Sequence, residues 1–255
     1  MNPSSAALHP TPASPAQVVP VIAVVGCDGS GKSTLSADLI THLGVTRPVE
    51  WCYLGQSSGN IGRAIKKLPL VGPPLRRYLA RKAERAHSEQ NKASGTATVL
   101  VIYLLSRWRA HKFRRMLSRT RAGVLVITDR YPQVETPGFY FDGPGLGAVL
   151  TSGRLAQRLV ESERRLYATM TNHVPELVIR LTVDAATAHA RKPDHRLEIL
   201  REKVAALPNL TFNGARILEL DGCRPYPEVL EAALETIRAA HNTSDQSREN
   251  VGTKN

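Results

Sequence analysis

The sequence predicts an α/β chain built on a five-stranded parallel sheet with helices on both faces. Five short apolar segments, 18–25, 49–54, 124–128, 177–183 and 217–220, are rich in branched residues and carry the unbroken hydrophobicity of strands covered on both sides. Stretches with helical spacing lie between them, the alternation that builds parallel sheets through helical crossovers. At 255 residues the chain suits one large domain better than two small ones.

The elements follow in order. Residues 1–17 hold Pro3, Pro10, Pro12 and Pro15 and no basic residue ahead of an apolar stretch, so they read as a disordered tail and not a secretory signal. The first strand, 18–25, runs into a glycine-rich turn, and the first helix spans Lys32 to Leu43, stopping at Gly44. After the second strand, residues 56–96 form an insertion whose first part is rich in Gly and Pro. A long helix occupies 98–120 ahead of the third strand. Residues 131–153, with five glycines and three prolines, read as an active-site loop region. Helical spacing returns at 153–172 and 227–241, and 242–255 read as a second loose end. One domain is therefore expected at 18–241.

Composition narrows the function classes. Cys27, Cys52 and Cys223 are far apart, which indicates neither a disulfide framework nor a zinc site. No apolar run approaches the ~20 residues of a membrane span, and a cytoplasmic setting is expected. The net charge of +12 is concentrated: residues 62–121 hold sixteen Lys or Arg against Glu84 and Glu89, which is +14. Such a segment can attract phosphorylated substrates, nucleic acid or anionic lipid, or can be a solvated helical face. With no recognised nucleic-acid motif, contact with polyanion or membrane is the less favoured reading.

The turn after the first strand reads Gly26-Cys27-Asp28-Gly29-Ser30-Gly31-Lys32-Ser33-Thr34, which contains the P-loop pattern Gly-x-x-x-x-Gly-Lys-Ser. Its glycines let successive N–H groups converge on one anion, and Lys32 brings a charge to the outer phosphates. The Ser33 hydroxyl can ligate Mg²⁺, and the helix starting at Lys32 aims its positive end at the same place. A nucleoside triphosphate, ATP with Mg²⁺, is the expected ligand.

Two further signals fit phosphoryl transfer. The third strand leads into Asp129-Arg130-Tyr131; a carboxylate at the end of a strand beside the P-loop can hold Mg²⁺ directly or through water. Arg130 can neutralise charge on the transferring group. Downstream, Arg191, Lys192 and Arg196 lie where a mobile lid would bring cations over the site, or they cap a helix C-terminus. Within the long helix, Tyr103 and Arg107 stand at i, i+4 and share a face. They suit stacking and hydrogen bonding to a base, or a core tyrosine beside a snorkelling arginine.

With these residues in place, the chain resembles the thymidylate kinase family of P-loop nucleoside monophosphate kinases. The P-loop with Asp28, the Asp129-Arg130-Tyr131 motif, and Tyr103-Leu104-Leu105-Ser106-Arg107-Trp108 are similar to that family's three motifs, and Arg191 with Asp194 to Glu198 echoes its lid. The resemblance implies that Asp28 contacts the acceptor sugar and that Tyr103 and Arg107 face its base; related kinases are often dimers, so a homodimer stays open. It departs where the family meets the acceptor phosphate: Tyr53-Leu54-Gly55-Gln56-Ser57-Ser58-Gly59 and the basic insertion stand there. The expected activity is transfer of the ATP γ-phosphoryl to a nucleoside monophosphate such as dTMP. In that reaction Lys32, Arg130 and Arg191 are catalytic, residues from Gly26 to Thr34 cradle ATP, and Ser33 and Asp129 serve the metal. Asp28, Tyr103, Arg107, Tyr131 and Arg196 meet the acceptor. The alternatives are a kinase of a sugar phosphate or lipid-linked head group, or a nucleotide-dependent polyanion-binding protein.

Overall fold

A computed structural model of the chain describes residues 17–55, 96–138, 141–148 and 153–252. The tail expected at 1–17 and the insertion expected at 56–96 lie outside these residues except for Gln17 and Thr96. Along the described chain run β1 (Gln17–Gly26), α1 (Lys32–Leu43), β2 (Val49–Tyr53), α2 (Thr96–Arg121), β3 (Leu125–Asp129) and α3 (Arg154–Thr171). Then come β4 (His173–Thr182), α4 (Ala185–Arg191), α5 (Leu197–Ala206), β5 (Ile217–Asp221) and α6 (Tyr226–Gly252). The strands form one sheet in the order β2-β3-β1-β4-β5, every pair parallel. This is the α/β architecture that the sequence predicts.

The central strand shows why the segments fold this way. Successive side chains of a strand point to opposite faces, and in β1 both faces are apolar. Val19, Val21, Ala23 and Val25 meet Ala110, Phe113 and Met116 of α2 and Tyr167 and Met170 of α3. Ile22 and Val24 meet Leu35, Leu39 and Leu43 of α1 and Val229, Ala233 and Ile237 of α6. The leucines of α1 recur every four residues, one helical stripe. No described helix is long and apolar enough to cross a membrane.

Three boundaries differ from the sequence reading. β1 is not one even strand: its register against β4 shifts between Val19 and Ile22, around Pro20, whose ring nitrogen has no hydrogen to give to the ladder. β4 starts at His173 and not at 177, because Val174 and Pro175 pair with Val18 and Val19 despite the interrupted apolar run. The helix read as ending at 241 runs on to Gly252.

Sheet register positions the chemistry. Val24 of β1 lies opposite Asp129 of β3, so β3 ends one strand away from the turn that follows Gly26. Binding sites of open parallel sheets lie at these carboxyl ends.

Candidate active site

Between β1 and α1 the chain turns through residues whose backbone is forced into unusual shapes. Gly29 has φ +89° and Gly31 φ +97°. A Cβ on Gly29 would also stand 2.5 Å from the Ala188 carbonyl oxygen of α4, so this position tolerates only glycine on two independent grounds. Lys32 opens α1 yet turns back across the loop, its ammonium donating to the Cys27 carbonyl at 2.7 Å. Only 9% of Lys32 is exposed. Burial pulls its pKa below the ordinary lysine value, while Asp129 and Asp28 work in the other direction.

Asp28, inside the same turn, is held by two cations from elsewhere in the fold. Arg130 Nη2 meets Oδ1 at 3.3 Å, and the Lys203 ammonium of α5 bonds Oδ2. Burial would raise the Asp28 pKa, but Lys203, then Lys32 and Arg130, outweigh it and hold the carboxyl well below the usual range. Asp129 behaves oppositely: burial pushes its carboxyl up, and Lys32 and Arg130 offset only part of that.

Arg130 carries φ +63°, a backbone shape uncommon outside glycine, and the surroundings fix it there. Its carbonyl accepts from Arg109 Nη2 of α2 at 2.5 Å, and its guanidinium faces Asp142 at 3.8 Å. Arg109 is 1% exposed and donates also to the Asp142 carboxylate at 2.8 Å, the Asp142 carbonyl at 3.0 Å and the Tyr167 hydroxyl at 3.2 Å. The loop bearing Asp142 is in turn clasped by Glu163 of α3. Its fully buried carboxylate accepts from Leu146 N at 2.7 Å, Gly145 N at 3.2 Å and Ser106 Oγ at 2.5 Å. Tyr131 is buried, with its hydroxyl bonded to the His173 carbonyl at 2.6 Å and its ring edge-on to Phe113.

The turn separates two cavities. One, a small cleft, is bounded by Asp28, Lys32, Asp129, Arg130, Asp142 and Lys203, with Leu207, Leu210 and Phe212 as an apolar wall. The other, of about 820 Å³, is bounded by Gly29, Gly31, Thr34, Arg191, Gly222 and Tyr226. Arg191, at the end of α4, donates to the Gly222 carbonyl at 3.0 Å and the Gly29 carbonyl at 3.4 Å.

Comparison with known proteins finds relatives in Escherichia coli strain K12 that align along most of both chains. The uncharacterized ATP-binding protein YghS is 54% identical over 222 residues, which is 87% of this chain and 94% of YghS. The uncharacterized ATP-binding protein YghR is 43% identical over 226 residues, 89% of this chain and 90% of YghR. The chain belongs to the YghS and YghR family. No protein-family model matches it.

In this family member the structure gathers Gly26, Asp28, Lys32, Asp129, Arg130 and Tyr131 around one cavity, and Gly29, Ser30, Gly31, Thr34 and Arg191 around the other. Ser33 is exposed on the first turn of α1, and the hydroxyl of Ser30 is buried with no hydrogen-bond partner among the described residues. Other expected residues stand apart. Tyr103 packs between α2 and α3 with its hydroxyl 2.8 Å from Ser162 Oγ, and Arg107 is exposed on α2; neither bounds either cavity. Arg196 begins α5 and faces Glu198 at 3.7 Å.

The sequence reading missed Arg109, Asp142, Glu163 and Lys203. A signal for Arg109 exists: Val99, Ile102, Ser106, Arg109, Phe113 and Met116 follow the three-and-four spacing of one buried stripe, from which Arg107 is absent. Lys203 carries no such signal, because its place depends on how α5 folds back over the turn.

Proposed function

We propose that the chain is an ATP- and Mg²⁺-dependent phosphotransferase that moves the γ-phosphoryl group of ATP to a nucleoside monophosphate. The observation that carries this reading is the convergence of the P-loop lysine, Lys32, with Asp129 and Arg130 from the end of the neighbouring strand around a single cavity. The names of YghS and YghR as ATP-binding proteins support the donor half. The second cavity, on the far side of the turn, has room for the nucleoside end of ATP, with the phosphates passing over Gly29 to Ser33.

Each group has a role that its chemistry allows. Backbone N–H groups of the turn and the positive end of α1 hold the phosphates, and Lys32 leaves the Cys27 carbonyl to meet the outermost one. Ser33 and Asp129 offer one hydroxyl and one carboxylate. That hard-oxygen pair suits Mg²⁺, which keeps most of its coordination for water and phosphate. The described residues contain no cluster of three or more His, Cys, Asp or Glu that would form an all-protein cage. Bound there, Mg²⁺ would neutralise charge on the β- and γ-phosphates. Arg130 faces the same cavity with its guanidinium, as compensation for the charge of the moving group requires. A phosphate acceptor is already ionised, so no strong general base is needed.

Lys32→Ala is expected to lower phosphotransfer at least a hundredfold, as for the loss of one buried charge-stabilising donor. Turnover is measured as ADP release with dTMP, dUMP and other monophosphates, then with sugar phosphates and lipid head groups. Undiminished transfer by this variant would overturn the assignment. The second half of that panel answers a specific observation. Because Tyr103 is bonded to Ser162 and Arg107 points outward, the base-recognition pair implied by the thymidylate kinase resemblance is not turned to the cavity. A non-nucleotide phosphorylated acceptor is therefore the second reading.

A further inference from the structure

Asp28 is an anion gripped from two sides. Its two carboxylate oxygens are shared between Arg130, at the end of β3, and Lys203, on α5. Lys32 lies close enough that both of those cations depress its pKa by repulsion, after the larger effect of burial. Three cations thus crowd one end of the cavity, beside the expected path of the γ-phosphoryl group. The position of Lys203 is set by packing. Leu200 and Val204 of α5 pack in one cluster with Cys27, and Lys203, three positions after Leu200, lies on the same side of the helix. Its side chain is 12% exposed and that of Asp28 17%, so the pair is partly dehydrated yet open to the cavity. Leu207, Leu210 and Phe212 continue the wall beyond it, an apolar surface next to a cationic end.

We propose that Lys203 and Arg130 form an anion clamp for the acceptor, with Asp28 holding the place of the acceptor's anionic group until it arrives. On binding, the oxyanion takes the two cations and Asp28 is released to accept a hydroxyl of the acceptor. The ligand class is an organic phosphate monoester whose body lies on the Leu207, Leu210 and Phe212 wall. This rests on the phosphotransferase reading and deepens it: α5 becomes part of the acceptor site, and the acceptor's charge draws the lid helix inward.

The clamp can be tested without knowing the acceptor. The protein is first saturated with Mg²⁺ and the β,γ-imido analogue of ATP, with uptake followed by calorimetry, so that the donor site is filled. Inorganic phosphate, the smallest probe of the clamp, is then titrated by phosphorus NMR. Wild-type protein is expected to bind it, and Lys203→Met to bind it at least tenfold more weakly, the size expected for losing one charge-assisted hydrogen bond. Lys203→Arg is expected to recover most of the loss. A purely structural strap would instead lower the unfolding midpoint of both variants and leave phosphate affinity alone. Absence of analogue uptake would sink the phosphotransferase reading. Analogue uptake with no phosphate binding, or with equal phosphate affinity in wild type and Lys203→Met, would sink the clamp alone.

Discussion

Asp28 is the residue on which the electrostatics of the site turn. Its carboxyl is buried enough to raise its pKa, yet the cations from α5, α1 and β3 depress it. A depressed carboxyl stabilises the fold above its ordinary pKa of about 4, and that stabilisation fades as pH falls through this value toward the folded-state one. Asp28→Asn removes the titrating group. The variant is therefore expected to lose less stability than wild type between pH 6 and pH 3, as read from urea midpoints. A loss equal to that of wild type would show that acid sensitivity lies elsewhere. The same residue marks the limit of the sequence reading. Its place in the P-loop was legible from Gly26 to Thr34, but its partner was not. Lys203 lies 175 positions away, and nothing in the spacing around it singles out an inward-facing lysine.

Among the elements, the loop after β3 depends most on a support that looks unremarkable in sequence. Glu163 lies within a run of charged residues on α3, yet it is fully buried and holds Ser106 and two loop amides. Glu163→Ala would strand the N–H groups of Gly145 and Leu146, each worth ~1–3 kcal/mol when buried without a partner. The expected cost is about 3 kcal/mol in denaturant unfolding, with turnover reduced further because Asp142 no longer braces Arg130. Full activity at reduced stability would show that Arg130 is held without the loop. β1 and α1 could be read ahead because β1 is an unbroken apolar run covered on both faces and the buried leucines of α1 recur at every fourth residue. On α2 the i, i+4 pair of Tyr103 and Arg107 stands out in the sequence by its aromatic and cationic character, while Arg109, the residue that reaches the loop after β3, is one charge within an otherwise buried stripe. The early start of β4 was hidden because Pro175 and Glu176 interrupt its hydrophobicity.

For the molecule as a whole, strand order makes the site: only with β1 beside β3 does Asp129 end next to the P-loop. Helices α4 and α5 are fastened to that centre in different ways. Backbone of α4 touches backbone of the loop at Ala188 and Gly29, and Arg191 fastens the same helix to Gly29 and Gly222. α5 is joined through side chains that can let go, Leu200 and Val204 on Cys27 and the ammonium of Lys203 on Asp28. Hydrogen exchange with and without magnesium and the imido analogue is expected to alter amide protection along α5 while leaving α4 nearly unchanged. Equal changes in both would contradict it. A wall so near to Gly29 makes α4 a fixed doorpost, and if α5 moves as the clamp requires, residues 192–196 are its pivot. On that reading the acceptor enters by a swing about that short connection, and the P-loop need not bend for the entrance to open.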